Sequence, residues 1–221
     1  MLPDKRKKSM AHSESLPEIT WCKKCVAPSS SAIPLVFDDN GVCSACNVHG
    51  QKNDIDWDER LEWLLEDVEA YRKPSGYDCV IGVSGGKDSY YQVHFVKEKL
   101  GLNPLLITYN GNNYLDVGWD NMMRMKDVFN VDHLIISPGI DLLKKMNRLC
   151  FRMMGDMNWQ NHAGIYTIPM QYGVKFDIPL VFYGEHGWTD LGGMHSMHDL
   201  PELTARHRKD QLLRGYDWED M

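Results

Sequence analysis

From Tyr77 onward, short apolar runs alternate with longer amphipathic stretches. CVIGV (79–83), PLLITY (104–109), HLIIS (133–137) and PLVFY (179–183) are rich in β-branched and aromatic residues and have the length of buried strands. Between them, SYYQVHFVKEKL and WDNMMRMKDVF repeat their apolar positions at helical spacing. Strand–helix alternation of this kind predicts an α/β fold, a doubly wound parallel sheet whose ligands bind beyond the carboxyl ends of the strands. Ahead of it, IDWDERLEWLLEDVEAYRK places Trp57, Leu61, Leu64, Leu65 and Val68 on one helical face. Asp56 is the expected N-cap, its carboxylate accepting from first-turn amides, and Pro74-Ser75-Gly76 ends the helix. The tryptophans of this helix are expected as core residues.

Composition narrows the picture. The 221 residues are 43% hydrophobic and 25% charged, enough for one substantial core and a small appendage. Residues 1–20 are basic without an apolar segment behind them, so a disordered tail is expected rather than a secretory signal. No run has the eighteen or so apolar residues of a membrane span. The expected location is therefore cytoplasmic, with no membrane partner. A net charge of -7 gives no global attraction toward nucleic acid, which is not an expected partner.

Four of the six cysteines change the reading of the first fifty residues. Cys22 and Cys25 form one C-x-x-C pair, Cys43 and Cys46 another, with seventeen residues between them. Two tight knuckles of this spacing can aim four thiolates at one Zn2+ and close its tetrahedron, leaving no open position for catalysis. Pro28, Pro34 and the Asp-Asp-Asn-Gly turn ending at Gly41 suit such a ribbon. A redox pair or disulfide is the competing reading, and an RNA-docking finger the functional alternative to an architectural ribbon. The expected organisation is a tail (1–20), a zinc ribbon (21–50), a linker helix (51–75) and an α/β domain (76–221).

The first strand runs into Ser84-Gly85-Gly86-Lys87-Asp88-Ser89. A Walker A loop would need glycine where Ile81 stands and Ser or Thr where Asp88 stands; a dinucleotide fingerprint would need glycine at Ser84. Both fail. What remains is a strand, two glycines whose amides can approach an anion, a lysine, two hydroxyls and a helix start: a pyrophosphate cradle. An ordinary glycine turn is the bland alternative.

SGGKDS after a first strand resembles the PP-loop of the ATP pyrophosphatase group, which implies the adenine-nucleotide PP-loop type of doubly wound sheet. With WCKKCVAPSS, FDDNGVCSAC, IDWDER, KEKLGLNPLLIT, IPLVFYGEH and RGYDWEDM in the same order, the chain resembles the N-acetyl sugar amidotransferases of bacterial surface-polysaccharide and flagellin-sugar biosynthesis. That resemblance implies ATP cleavage to AMP and pyrophosphate and conversion of an acetamido to an acetamidino group on a nucleotide-linked N-acetyl sugar. It also implies a separate glutaminase subunit as ammonia source. No N-terminal nucleophile supports an internal glutaminase, since position 2 is Leu2, and Gly41-Val-Cys43-Ser-Ala45 only imitates a cysteine elbow. Such proteins extend beyond RGYDWED, so a C-terminally truncated domain is expected.

In this reading Ser84, Gly85, Gly86 and Ser89 hold pyrophosphate. Lys87 and Mg2+ neutralise its charge, and Asp88 orients the loop or the ion. Thr108, Tyr109 and Asn110, ending the second strand, are expected at adenine or ribose, with turn chemistry as the alternative. Glu185 is either a ligand for magnesium or sugar or a surface carboxylate. His162 is placed near the site by resemblance alone. His195 and His198 share helical spacing without a third ligand, and the methionines of NMMRM and FRMMGDM are expected as packing. The rival function is PP-loop tRNA thiolation, which would use cysteines near the adenylation site. Cys79, at a strand start, is expected in the core, and Cys150 is ambiguous.

Overall fold

A computed structural model of the chain describes residues 18–31, 35–184, 192–193, 195–199, 204–205, 208–209 and 213–221. The chain divides into two compact units, Met1–Ile55 with His186–Asp199 and Asp56–Glu185 with Leu200–Met221. Most of the expected tail, and Glu185, lie outside the described residues.

In the first unit, antiparallel bridges join Trp21 to Pro28 and Phe37 to Cys43, and a helix α1 (Ser44–Gly50) follows the second cysteine knuckle. Asp38 organises the turn between the knuckles. Its Oδ1 accepts from the Asn40 and Val42 amides, both at 2.9 Å, and its Oδ2 from Asn47 at 2.9 Å. These donors, the Val42 amide foremost, hold its carboxyl below the usual carboxylate range. Gly41 takes φ +75°, the left-handed geometry that lets the Asp38 carbonyl receive its amide. A later segment belongs to the same unit: Ser44 Oγ donates to the Gly192 carbonyl at 2.7 Å, and Gln51 Oε1 accepts from Ser196 Oγ and the Met197 amide.

The second unit begins with α2 (Trp57–Glu69), capped as expected by Asp56, whose carboxylate accepts from the Asp58 and Glu59 amides at 3.1 Å. Val68 is buried, but Trp57 and Trp63 stay about half exposed at 57% and 47%, so they are not the core residues their spacing suggested. The guanidinium of Arg60 covers the Trp63 ring instead.

Four parallel strands follow, β1 (Cys79–Gly82), β2 (Pro104–Tyr109), β3 (His133–Ile136) and β4 (Leu180–Phe182), in the order β3-β2-β1-β4. The expected parallel α/β sheet is present. On one face Cys79, Ile81 and Leu106 pack with Val93 and Val96 of α3 (Lys87–His94, continued by a π turn to Lys99) and with Met125 of α4 (Asp116–Phe129). On the other face Val80, Leu105, Ile107 and Ile178 meet Ile168 and Tyr172 of α6 (Trp159–Lys175). The alternation of strand side chains distributes the same two strands between both layers. Helix α5 (Ile140–Met154) stops at Gly155 in the left-handed region and packs Cys150 against Trp159 and Leu213. No described helix is long and apolar enough to cross a membrane.

A buried carboxylate ties the entry of β1 in place. Asp78 is 6% exposed, and its two oxygens accept from the Lys73 and Asn103 amides at 2.7 Å. Replacing it with alanine leaves both donors without that partner; a loss of about 2 kcal/mol is expected in urea denaturation. Asp78→Asn, which keeps one acceptor, is expected to lose about half as much.

Candidate functional site

The glycine turn leaves the sheet at the carboxyl end of β1. Val83 still pairs with β2 through its amide to the Ile107 carbonyl at 3.0 Å, after which the backbone turns away. Gly85 adopts φ +78° and lies so close to α4 that a Cβ there would sit 2.8 Å from Met122 Cα. Gly86, extended, is the N-cap of α3 and offers no side chain, so the first-turn amides of α3 are uncapped and face outward with the positive end of the helix. Within the loop the Ser84 amide donates to Ser89 Oγ at 2.9 Å, and the two hydroxyls lie 3.3 Å apart. Lys87 Nζ reaches both carboxylate oxygens of Asp88 at 2.8 Å, with the side chains 87% and 79% exposed. A pair that open to water holds the lysine weakly, so an arriving phosphate can take it.

Beside this loop lies a cleft of about 190 Å³. Ser84, Gly86, Asp88 and Ser89 form one side; Tyr109, Tyr166, Pro169 and Tyr183 form the other. Gly85 and Lys87 are not in its wall: the first backs onto α4 and the second turns toward Asp88. The aromatic side is built by α6, whose Pro169 interrupts the helical hydrogen-bond ladder. The hydroxyl of Tyr183 donates to the Tyr166 carbonyl at 2.6 Å in that broken turn, and burial raises its pKa. The ring of Tyr109 fits between two glycines, since a Cβ at Gly111 or Gly164 would fall 2.3 or 2.2 Å from its edge. Its hydroxyl donates to Gln160 Oε1 at 2.7 Å. Gln92 of α3, with its amide oriented to satisfy both partners, accepts from the backbone of Tyr183 and Gly184 and links the loop helix to the end of β4.

Thr108 is not where the strand end suggested. Its side chain points to the α3–α4 face, is 1% exposed, and donates to the Val83 carbonyl at 2.7 Å. Because that proton is committed, the His133 contact at 2.9 Å must use an Nε2–H donor. Burial pushes the His133 ring down to about 4, which keeps that single-proton form across neutral pH. Thr108 therefore braces β1 against β2 and β3, while Tyr109, one residue on, faces the cleft. Asn110 spends its amide on Ser137 Oγ at 3.0 Å. His162 lies on α6 and is absent from the cleft wall. His195 and His198 occupy a turn held by Asp199 rather than a helix. The wall residues Gln92, Tyr166, Pro169 and Tyr183 are not singled out by the sequence and come together only through the packing of α3, α6 and β4.

In the first unit the four thiols converge. The sulfurs of Cys22, Cys25, Cys43 and Cys46 all lie within 4.8 Å of one another, and no disulfide joins them. A tetrahedron with metal–sulfur bonds of about 2.3 Å has edges of about 3.8 Å, and Cys25 and Cys43 are 3.8 Å apart. Backbone amides point at the sulfurs, from Lys24 and Cys43 to Cys22 at 3.3 Å and from Ala27 to Cys25 at 3.4 Å. Burial raises the Cys22 thiol, but the amides of Cys43, Lys24 and Cys25 outweigh it and bring it down to about 6, whereas burial pushes Cys46 up to about 12. This donor set fits a closed, four-sulfur metal site.

No family model matches the chain. An uncharacterized protein of Methanocaldococcus jannaschii is 25% identical over 121 residues, which is 52% of this chain and 42% of that protein. Among solved structures, the chain is similar to an NH3-dependent NAD synthetase from Campylobacter jejuni (16% identity, TM-score 0.46, covering 65% of this chain and 63% of that one). It is also similar to an NMN synthetase from Francisella tularensis (17%, TM-score 0.42, 63% and 57%). A U34-tRNA thiolase from Methanococcus maripaludis with a 4Fe-4S cluster is a third (15%, TM-score 0.40, 77% and 54%). The chain thus spans about two fifths of the curated relative and less than two thirds of each of these structures.

Proposed function

We propose that the protein is a PP-loop enzyme that cleaves ATP to AMP and pyrophosphate and converts the acetamido group of a nucleotide-linked N-acetyl sugar to an acetamidino group. The observation that carries the nucleotide half is the uncapped start of α3, where the Gly85-Gly86 turn carries no side-chain cap and the hydroxyl residues Ser84 and Ser89 line a cleft. The sugar half rests on the motif order from WCKKCVAPSS to RGYDWEDM.

An acetamido carbonyl is a weak electrophile whose oxygen leaves poorly. Attack of that oxygen on the α-phosphorus of ATP expels pyrophosphate and gives an O-adenylated imidate. Ammonia then adds to the imidate carbon, AMP departs with the former amide oxygen, and proton loss leaves the amidine. Positioning and charge neutralisation supply most of the acceleration. The loop amides and serines would hold the β and γ phosphates as negative charge grows on them. Lys87 would leave Asp88 for the departing pyrophosphate, freeing the carboxylate to orient Mg2+, whose role is to neutralise the same charge. The four thiolates of the first unit would hold Zn2+ in an architectural role. Tyr109 and Tyr183 offer apolar surface for the adenosine. Glu185 stays a proposed ligand, and ammonia would come from a glutaminase partner.

The thiolation reading needs a sulfur carrier at the cleft. Among the described residues no cysteine lines it: Cys79 opens β1, buried and pushed up to about 12, and Cys150 is buried with Trp159 and Leu213. This placement favours the amidotransferase.

Incubation with ATP, Mg2+, ammonium and nucleotide-linked N-acetyl sugars is expected to yield AMP and pyrophosphate with one of them. Glutamine should not replace ammonium when the chain is alone. Formation of ADP and orthophosphate would exclude the mechanism, and glutamine-dependent turnover by the single chain would remove the need for a partner.

A further inference from the structure

We infer that Gln160, from outside the cleft, is a positioning residue for the nucleoside end of ATP, because it holds Tyr109 in one orientation; this rests on the ATP reading and adds a residue to it. Behind the aromatic side of the cleft lies a second, apolar cavity of about 270 Å³ between α5 and α6. Among the described residues Tyr109 is the one that both walls share, whereas Gln160 lines only the second. The tyrosine stands between the two spaces, and whatever fixes it fixes that side of the cleft.

Gln160 has a chemistry that its surroundings do not ask for. It is 6% exposed in the first turn of α6, and the cavity beside it is walled by Leu143, Met146 and Ile168. A buried amide costs stability unless both of its ends are bonded, and a leucine would suit those neighbours without that condition. Both ends are bonded. Nε2 donates at 3.2 Å to the Gly111 carbonyl, which can only accept, so Oε1 faces the Tyr109 hydroxyl and receives its proton at 2.7 Å. Burial raises the pKa of that hydroxyl, which keeps the proton in place at neutral pH. One side chain thus ties both the tip of the ring and the loop after β2 to α6.

The glycine slot and the amide restrain different motions. Gly111 and Gly164 confine the edge of the ring, since a Cβ at either would stand within 2.3 Å of it. The hydroxyl bond fixes the tip, and without it the apolar cavity behind gives the ring room to tilt. Ser84, Gly86 and Ser89 take one side of the cleft, where the phosphates belong, so ribose and base are left with the aromatic side that Tyr109 helps to form. A tilted ring is therefore felt by the nucleoside and not by pyrophosphate, which needs only the loop.

Calorimetric titration of the full chain with a non-hydrolysable ATP analogue and, separately, with magnesium pyrophosphate tests the assignment. Wild type is expected to bind both. Gln160→Leu and Tyr109→Phe are each expected to weaken the analogue about five- to tenfold, the worth of one hydrogen bond, and to leave pyrophosphate unchanged. Because both substitutions break the same bond, the double variant is expected to lose no more than either single one. Tyr109→Phe removes one oxygen and keeps the ring, so it carries the test by itself should Gln160→Leu melt at a lower temperature. Analogue binding at the wild-type level in Tyr109→Phe, losses that add in the double variant, or an equal weakening of pyrophosphate would each overturn the assignment. A wild type that binds pyrophosphate but not the analogue would overturn the ATP reading and the assignment with it, a failure told apart because it shows before any substitution is made.

Discussion

Gly85→Ala is expected to destabilise the protein by about 3–4 kcal/mol and to abolish detectable binding of ATP analogues, whereas Gly86→Ala changes stability by less than about 1 kcal/mol. The two glycines are neighbours in sequence and opposite in environment. Gly85 holds φ +78°, where a side chain costs about 1–2 kcal/mol, and its added carbon would stand 2.8 Å from both Met122 Cα and Cβ. Met122 is fully buried on α4, so the helix backbone cannot step aside without disturbing the core; overpacking adds about 1–3 kcal/mol. Relief comes most easily if the loop itself moves outward, which withdraws Ser84 from Ser89 and tilts the first-turn amides of α3. Gly86 is extended, and its added carbon meets nothing closer than Ser84 Oγ at 3.7 Å. Urea denaturation of both variants and calorimetric titration with an ATP analogue give the comparison. Equal stability losses would mean that the turn does not lean on α4 as described, and full nucleotide binding by Gly85→Ala would place the triphosphate elsewhere.

What could be read from sequence follows from where each signal is local. Strand runs such as PLLITY carry their own period and length, and Asp56 caps α2 through bonds to residues two and three positions ahead. The C-x-x-C pairs are equally local, and their convergence needs only a turn. Thr108 and the tryptophans of α2 were misplaced because their environments depend on distant partners: which face of β2 meets which helix, and how much of α2 is covered. A strand-ending polar residue looks the same whether it faces a ligand or, like Thr108, braces a neighbouring strand through Val83 and His133. The aromatic wall of the cleft was illegible for the same reason. Tyr183 and Tyr166 meet where α6, with Pro169 inside it, presses on β1 at Gly82, a Cβ at which would stand 3.3 Å from the proline ring. The association of Ser44 with Gly192 and of Gln51 with Ser196 and Met197 likewise has no periodic pattern to announce it.

Reduced, full-length protein is expected to carry one zinc per chain, and its removal is expected to unfold the first unit while the parallel sheet persists. Among the described residues of that unit, the buried hydrophobic side chains are Cys22, Cys43 and Val48. Burying a valine contributes about 1.5 kcal/mol, against about 1–2 kcal/mol of backbone entropy for each residue ordered. Apolar burial on that scale cannot hold some thirty residues together, whereas a closed four-thiolate zinc site contributes about 10–16 kcal/mol. The second unit has its own core on both faces of the sheet and shares none of these ligands. Hydrogen-exchange mass spectrometry before and after chelation should therefore show amides of residues 20–50 losing protection, while those of β1 and β2 keep theirs. Cys43→Ser should reproduce the loss without chelator, because Cys43 is fully buried and its sulfur lies in contact with Cys25. Retained protection in a metal-free, oxidised sample would reassign the quartet to disulfides, and visible charge-transfer absorption would assign iron in place of zinc.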